Sequence, residues 1–263
     1  SDDGDAFPVM DGSAGTVAGA PAFTGTYRNR VTVGEGVTGG SAVFPEASRL
    51  VFSGFGTDET LGGDLGVYGH LTVPSGDSGG GDDPYLLGCG GFGTLGGFYA
   101  RLADIGATPK IRLGWSGGPA NTNKNSDGLT AAPGDDLKYW ITYQGDDGAG
   151  DTIIRFWVNV NDAGWTAEGV RTEASPGLAM SDNAENLALG RFRESSGANQ
   201  FLGPMFSAGV ALDLVDPTVM PSANDLDYYV TADDMARANS AQIGDGDSFP
   251  VESGQELTIS NDM

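Results

Sequence analysis

The sequence predicts an all-β protein, an antiparallel two-sheet sandwich with extended arms at both ends and one short helix near 230–242. Three observations carry this. Gly (44) and Pro (13) punctuate the whole chain of 263 residues. The apolar runs between them are too short for ordinary helices, which need ten or more residues. Several of these runs alternate with a period of two, the pattern of a strand with one buried face. With 39% hydrophobic residues the chain has enough apolar surface for a real core, and the length suits one large sandwich or two small domains.

Residues 1–22 are small, acidic and Gly/Ala-rich, and read as an extended arm. Strand-like runs come next at 30–33 (RVTV), 48–52 (SRLVF), 65–73 (LGVYGHLTV) and 84–88 (PYLLG). In 97–102 the alternation sets Phe98, Ala100 and Leu102 on one face; in 110–115 it does the same for Ile111, Leu113 and Trp115. LKYWITY (137–143) and TIIRFWVNV (152–160) form a candidate central hairpin. Leu137, Tyr139, Ile141 and Tyr143 pair with Ile154, Phe156, Val158 and Val160 as core faces. A turn within 145–151 suggests opposed residues whose numbers sum to 295, which sets Trp140 opposite Arg155 and Lys138 opposite Trp157. Together with Asn159 these residues form an amphipathic outer patch, either covered by a loop or rim, or open as a platform for a ligand. LALGRF (187–192) and FLGPMFSAGVAL (201–212) read as two further strands joined by a polar loop. VTADDMARANSAQ (230–242) is the helix candidate, with Thr231 as N-cap and Asp233 and Asp234 in the first turn.

The ends echo each other. DGDAFPVMDG (3–12) and DGDSFPVESG (245–254) agree at seven of ten positions, including FPV. Phe7, Pro8, Val9 and Phe249, Pro250, Val251 are therefore candidate assembly residues that add strands to neighbouring copies. The organisation expected is an arm over 1–22, a sandwich over 23–243 and an extended segment over 244–263.

Charge narrows the function classes. Net charge is −23, from 27 Asp, 9 Glu and few cations, of which only 3 are Lys. Such a surface repels nucleic acid and suits a salty setting, where ions screen self-repulsion. One cysteine, Cys89, allows neither an intrachain disulfide nor a cysteine-based zinc site. No run is long and apolar enough to span a membrane, and the first residues show no export signal.

Three strings imitate catalytic motifs. GDSGG (76–80) surrounds a serine, but His70, the sole histidine, lies only eight residues upstream without the required order of partners. GWSGG (114–118) fits a nucleophile elbow, yet the Gly-, Asn- and Pro-containing segment after it (117–128) cannot be its helix. GCGGFG (88–93) leads into strand-like alternation instead of the helix a dinucleotide site needs. Aspartates concentrate in Gly-rich loops (82–83, 135–136, 146–147), which suits calcium; Asp146, Asp147 and Asp151 are the candidate ligands, although no EF-hand pattern is completed.

The order of the later motifs resembles laminin-G-like domains of the concanavalin A-like superfamily. The residues that carry it are Trp140 and Tyr143 in the hairpin, the step Phe201-Leu202-Gly203, and the segment from Val230. The family's Asn-Gly turn is replaced here by Asn161-Asp162-Ala163-Gly164. The resemblance implies a jelly-roll sandwich that binds sugars or proteins more often than it catalyses, sometimes with calcium. The resulting expectation is a non-catalytic recognition or adhesion module with a glycan ligand, outside a cell or on a virion as a phage decoration, fibre or tail protein. The alternatives are a purely structural shell or filament subunit assembling through its arms, and a glycan hydrolase or lyase. Ser78→Ala, Ser116→Ala and His70→Ala are each expected to leave esterase and protease assays unchanged, since none has a nucleophile's partners. Activity lost in any one of them would overturn the non-catalytic reading.

Overall fold

Alternation of apolar and polar residues builds two sheets in the computed structural model. It describes residues 30–33, 37–38, 41–43, 50–53, 55, 63–75, 83–90, 96–116, 121–173, 187–190, 192, 201, 203–222, 225–231, 248–252 and 255–259. The strands in chain order are β1 (Arg30–Val33), β2 (Val37–Thr38), β3 (Ser41–Val43), β4 (Leu50–Ser53), β5 (Leu65–Thr72), β6 (Tyr85–Gly90), β7 (Gly97–Ala103), β8 (Lys110–Ser116) and β9 (Asn121–Asn125). They continue with β10 (Asp136–Gln144), β11 (Thr152–Val160), β12 (Thr166–Glu173), β13 (Leu187–Leu189), β14 (Pro204–Leu212), β15 (Tyr228–Thr231), β16 (Ser248–Glu252) and β17 (Gln255–Ile259).

One sheet has the order β16-β17-β1-β4-β13-β6-β7-β8-β9, and the other β12-β11-β10-β5-β14-β3-β2, with β15 also on β14. All pairings are antiparallel except β1 with β17. The two sheets pack face to face as an all-β sandwich. Trp115 of β8 meets Tyr143 of β10 edge-on across the interface, with centroids 5.4 Å apart. Such a pair adds roughly 0.5–1.5 kcal/mol to area burial. Phe98, Ala100 and Leu102 face this core, as do Ile111, Leu113 and Trp115; each is at most 1% exposed. At one side the sheets are stitched by their edges: Lys124 of β9 pairs with Glu173 of β12 at 2.5 Å, and Arg171 of β12 with Asp127 at 2.6 Å.

The central hairpin keeps the expected faces but not the expected register. Ile154, Phe156 and Val158 are buried, as are Leu137, Tyr139, Ile141 and Tyr143. The opposed pairs are Trp140 with Trp157, Lys138 with Asn159 and Thr142 with Arg155, so the numbers sum to 297. This corrects the pairing of Trp140 with Arg155 and of Lys138 with Trp157. A shift of two residues preserves every face, because side chains alternate with period two. The loop decides the shift. Asp146 accepts the Gly148 and Gly150 N–H groups, and Asp147 accepts those of Ala149 and Asp151, at 2.8–3.1 Å. Gly148 and Gly150 sit at φ +89° and +96°, so the seven residues 145–151 close as one Asp-anchored loop instead of a tight turn.

Val230 and Thr231 belong to β15, paired with Ala208 and Ser207 of β14; the rest of 230–242, where the helix is expected, lies outside the described residues. Residues 248–252 and 255–259 are extended and pair within the first sheet. They form the β16–β17 hairpin, and β17 runs parallel to β1 in the first sheet. Phe249, Pro250 and Val251 thus lie in a strand of the chain's own sheet; Phe7, Pro8 and Val9 lie outside the described residues.

Phe156→Ala is expected to cost about 3–5 kcal/mol in denaturant unfolding, the usual effect of emptying an aromatic core site. Gly69→Ala tests the cross-strand contact between β5 and β10: its added Cβ would lie 2.4 Å from the Tyr139 ring. It is expected to cost about 1–3 kcal/mol by overpacking. Wild-type stability in both variants would overturn the assigned facing.

Candidate functional site

The outer face of the second sheet carries the site. β5, β10 and β11 lie side by side, flanked by β12 and β14. Register places Trp157 opposite Trp140, Trp140 opposite Tyr68, Tyr68 opposite Gly209, and Gly209 opposite Tyr229. The result is an aromatic row across five adjacent strands. The Tyr68 and Trp140 centroids are 4.9 Å apart, and those of Tyr68 and Tyr229 6.1 Å, spanning the glycine. A side chain at 209 would not fit: its Cβ would lie 2.6 Å from the Tyr228 carbonyl and 3.1 Å from the Tyr229 ring.

Trp140 and Tyr229 are buried, at 4% and 7% exposure, whereas Trp157 and Tyr68 are half-buried. Solvent therefore reaches the row at Trp157 and Tyr68. Burial also pushes the Tyr68 phenol above its ordinary range, so it stays a neutral hydroxyl, 3.5 Å from Ser207 Oγ.

Polar groups flank the row on both sides. On one, Lys138 stands between Asn159 and His70 in register. Lys138 Nζ bonds Asp162, which raises the ammonium pKa and holds the carboxyl below its ordinary value. His70 Nε2 meets Asp136 Oδ2 at 2.7 Å, and its ring lies 4.5 Å from that of Phe206. Asn159 Oδ1 accepts the Gly164 N–H at 3.1 Å. That bond holds the β11–β12 turn, where Asn161 and Asp162 take φ +53° and +56° and the Ala163 N–H bonds Val160. Two central residues with positive φ define the type I′ hairpin turn, and Asn and Asp tolerate it best after Gly. The turn sends Asp162 back to Lys138.

On the other side, the loop after β14 folds over the face. The Pro217 carbonyl accepts from Thr142 Oγ1 at 2.7 Å and from Arg155 Nη1 at 3.2 Å, and the same Nη1 donates to Gln144 Oε1 at 3.0 Å. Arg155 and the fully buried Thr142 thus anchor the loop that walls the row.

All five expected ligand-binding residues, Lys138, Trp140, Arg155, Trp157 and Asn159, fall on this one face. Their neighbours Tyr68, His70, Phe206 and Tyr229 join it without having been expected there. Alternation in LGVYGHLTV does turn Tyr68 and His70 away from the core-facing Val67 and Leu71. Their place beside Trp140 needs the β5–β10 register, a contact between residues about seventy positions apart.

The calcium candidates do not assemble. Among the described residues no group of three or more Asp, Glu, His or Cys could hold a metal ion. Asp146 and Asp147 each turn Oδ1 to the amides of their own loop, and those bonds hold the Asp147 carboxyl below its ordinary value. Ser116 is buried in β8, whereas Ser78 lies outside the described residues.

Acid should loosen this face in a defined order. Hydrogen bonds hold Asp135, Asp147, Asp162 and Asp216 below the ordinary 3.8, from Asn161, from loop amides, from Lys138 and from Thr218 respectively. A lowered carboxyl contributes stability that is complete above the unfolded value and is lost as pH falls through the folded one. Asp64 has the opposite sign: burial raises it, so protonation there favours the folded chain. The melting temperature is therefore expected to hold down to about the ordinary carboxylate value and to fall below it. Amide exchange should show the 145–151 and 161–164 turns opening first. A decline that begins near neutral pH would contradict these assignments.

No protein-family model matches the chain, and no curated protein does. Among solved structures it is similar to the enzymatically active domain of bacteriophage CBA120 tailspike protein 2, with a TM-score of 0.49 and 12% identity over 79% of this chain and 32% of that one. It is also similar to the LG1-3 region of the laminin alpha2 chain, with a TM-score of 0.41 and 8% identity over 77% of this chain and 34% of that one. Scytalido-glutamic peptidase with a transition state analog inhibitor comes next at 0.32 and 13%, over 65% and 87% of the two chains. The chain spans about a third of the length of the first two. All three likenesses are too distant to bear on function.

Proposed function

We propose that the protein is a non-catalytic recognition module that binds a glycan on the outer face of its second sheet, outside a cell or on a virion surface. The observation that carries this reading is the aromatic row, solvent-accessible at Trp157 and Tyr68 and bordered by fixed polar groups. Aromatic faces stack on the C–H surface of a pyranose ring, and rigid donors and acceptors alongside select its hydroxyls. Five strands hold the rings in place, so little conformational entropy remains to be lost on binding. The net charge of −23 suits a soluble surface exposed to salt.

A second reading, a structural subunit of a shell or filament, is favoured by a different observation. The FPV that recurs at both ends forms, in its C-terminal copy, strand β16 at the end of the nine-stranded sheet. Sheet edges accept further strands.

A glycan array and then titration calorimetry test the first reading. Trp157→Ala and Tyr68→Ala are expected to lower affinity about tenfold or more, equivalent to about 1.4 kcal/mol per tenfold, with unfolding transitions that remain cooperative. A reducing-sugar assay on the bound polymer should register no new chain ends. Unchanged binding in both variants would remove the row from the site, and new chain ends would replace the module with a hydrolase or lyase.

A further inference from the structure

Resting on that reading, we infer that the face selects neutral saccharides and rejects uronate, sialylated and sulfated ones. Recognition of an anionic sugar requires a cation at the ring's edge, usually Arg or Lys, whose charge is not already offset by nearby carboxylates. The two cations bordering the row, Lys138 and Arg155, each have carboxylates beside them that offset their charge. Lys138 is paired with Asp162, and His70 with Asp136 at 2.7 Å. Arg155 has Nη1 divided between Gln144 and the Pro217 carbonyl, and Asp64 and Asp216 both lie within its electrostatic reach.

The same holds elsewhere among the described side chains. Lys110 pairs with Asp104, Lys124 with Glu173, Arg171 with Asp127, and Arg101 and Arg112 share Asp83. An anionic ligand would have to break one of these pairs in the field of a chain carrying −23. A neutral pyranose meets no such penalty: it needs the ring faces of Trp157 and Tyr68 and an acceptor such as the exposed Asp162 carboxylate, which suits hydroxyl donors. Excess acceptors beside an aromatic surface are thus the complement of a hydroxyl-rich, uncharged ligand.

The test uses the full chain, neutral polymers (glucan, mannan, galactan) and anionic ones (polygalacturonate, alginate, dextran sulfate), in affinity electrophoresis and calorimetry. At about 20 mM and about 500 mM salt, where screening lengths differ several-fold, a neutral polymer is expected to bind with the same affinity and no anionic polymer to bind at low salt. Asp162→Asn should release Lys138. Asn suits the positive φ at this position, so the turn is retained. This variant is expected to be retarded in anionic-polymer gels at low salt where the parent is not, because one negative charge near contact is removed. That retardation should vanish at high salt.

The outcomes separate the two claims. Salt-sensitive binding of an anionic polymer by the parent, abolished by Trp157→Ala, would overturn neutral selectivity and leave the row as the site. Neutral binding that survives Trp157→Ala and Tyr68→Ala would overturn the row, and the selectivity with it. Absence of binding to every polymer at both salts overturns both.

Discussion

Strand β10 is buried on both faces, and its register against β5 and β11 is the constraint on which the other contacts depend. On the core side Tyr139 lies over Gly69, where a Cβ would sit 2.4 Å from its ring. On the other side Trp140 is caught between Trp157 and Tyr68. A slip of two residues would keep the faces but drive Tyr139 off the glycine and separate the three rings. Core packing and the outer aromatic row therefore enforce the same alignment. Close packing of this kind tolerates little displacement, which gives the row the rigidity a recognition surface needs.

Aspartate builds loops in this protein. Asp64, Asp83, Asp135, Asp146, Asp147, Asp216, Asp225 and Asp227 each accept a backbone N–H, from Gly145, Asp104, Ala132, Gly148, Ala149, Thr218, Ser222 and Leu212 in turn. Loop amides that a strand ladder cannot satisfy find their acceptors here. The same residues resemble calcium ligands in sequence, because both roles need a short carboxylate beside Gly. In the structure one oxygen of each accepts from the backbone, so these carboxylates serve turn construction.

Cations, being scarce, are used as anchors. Lys124 and Arg171 join the two sheets at their edges, Arg155 fixes the loop over the outer face, and Lys138 ties a strand to the I′ turn. Exposed pairs of this kind contribute little each, roughly 0–1 kcal/mol. Their larger consequence is electrostatic: they leave the aromatic face bordered by neutralised or negative groups.

Period-two alternation is enough to give the fold class, the two core faces of the central hairpin and the outward set from Lys138 to Asn159, because facing depends only on the local pleat. Gly and Asp clusters likewise mark the turns locally. The hairpin register departs from the sequence expectation by two residues, since the Asp146 and Asp147 side chains, not the loop length alone, set where the ladder closes. Val230 and Thr231 gave no sign of pairing in the sequence, because their partners Ala208 and Ser207 lie far away along the chain. Tyr68, His70 and Tyr229 join the site only through β5 and β15, and the Pro217 loop covers it only through Thr142 and Arg155. Those contacts link residues tens of positions apart. Local propensity carries no information about such pairings, so tertiary structure alone decided them.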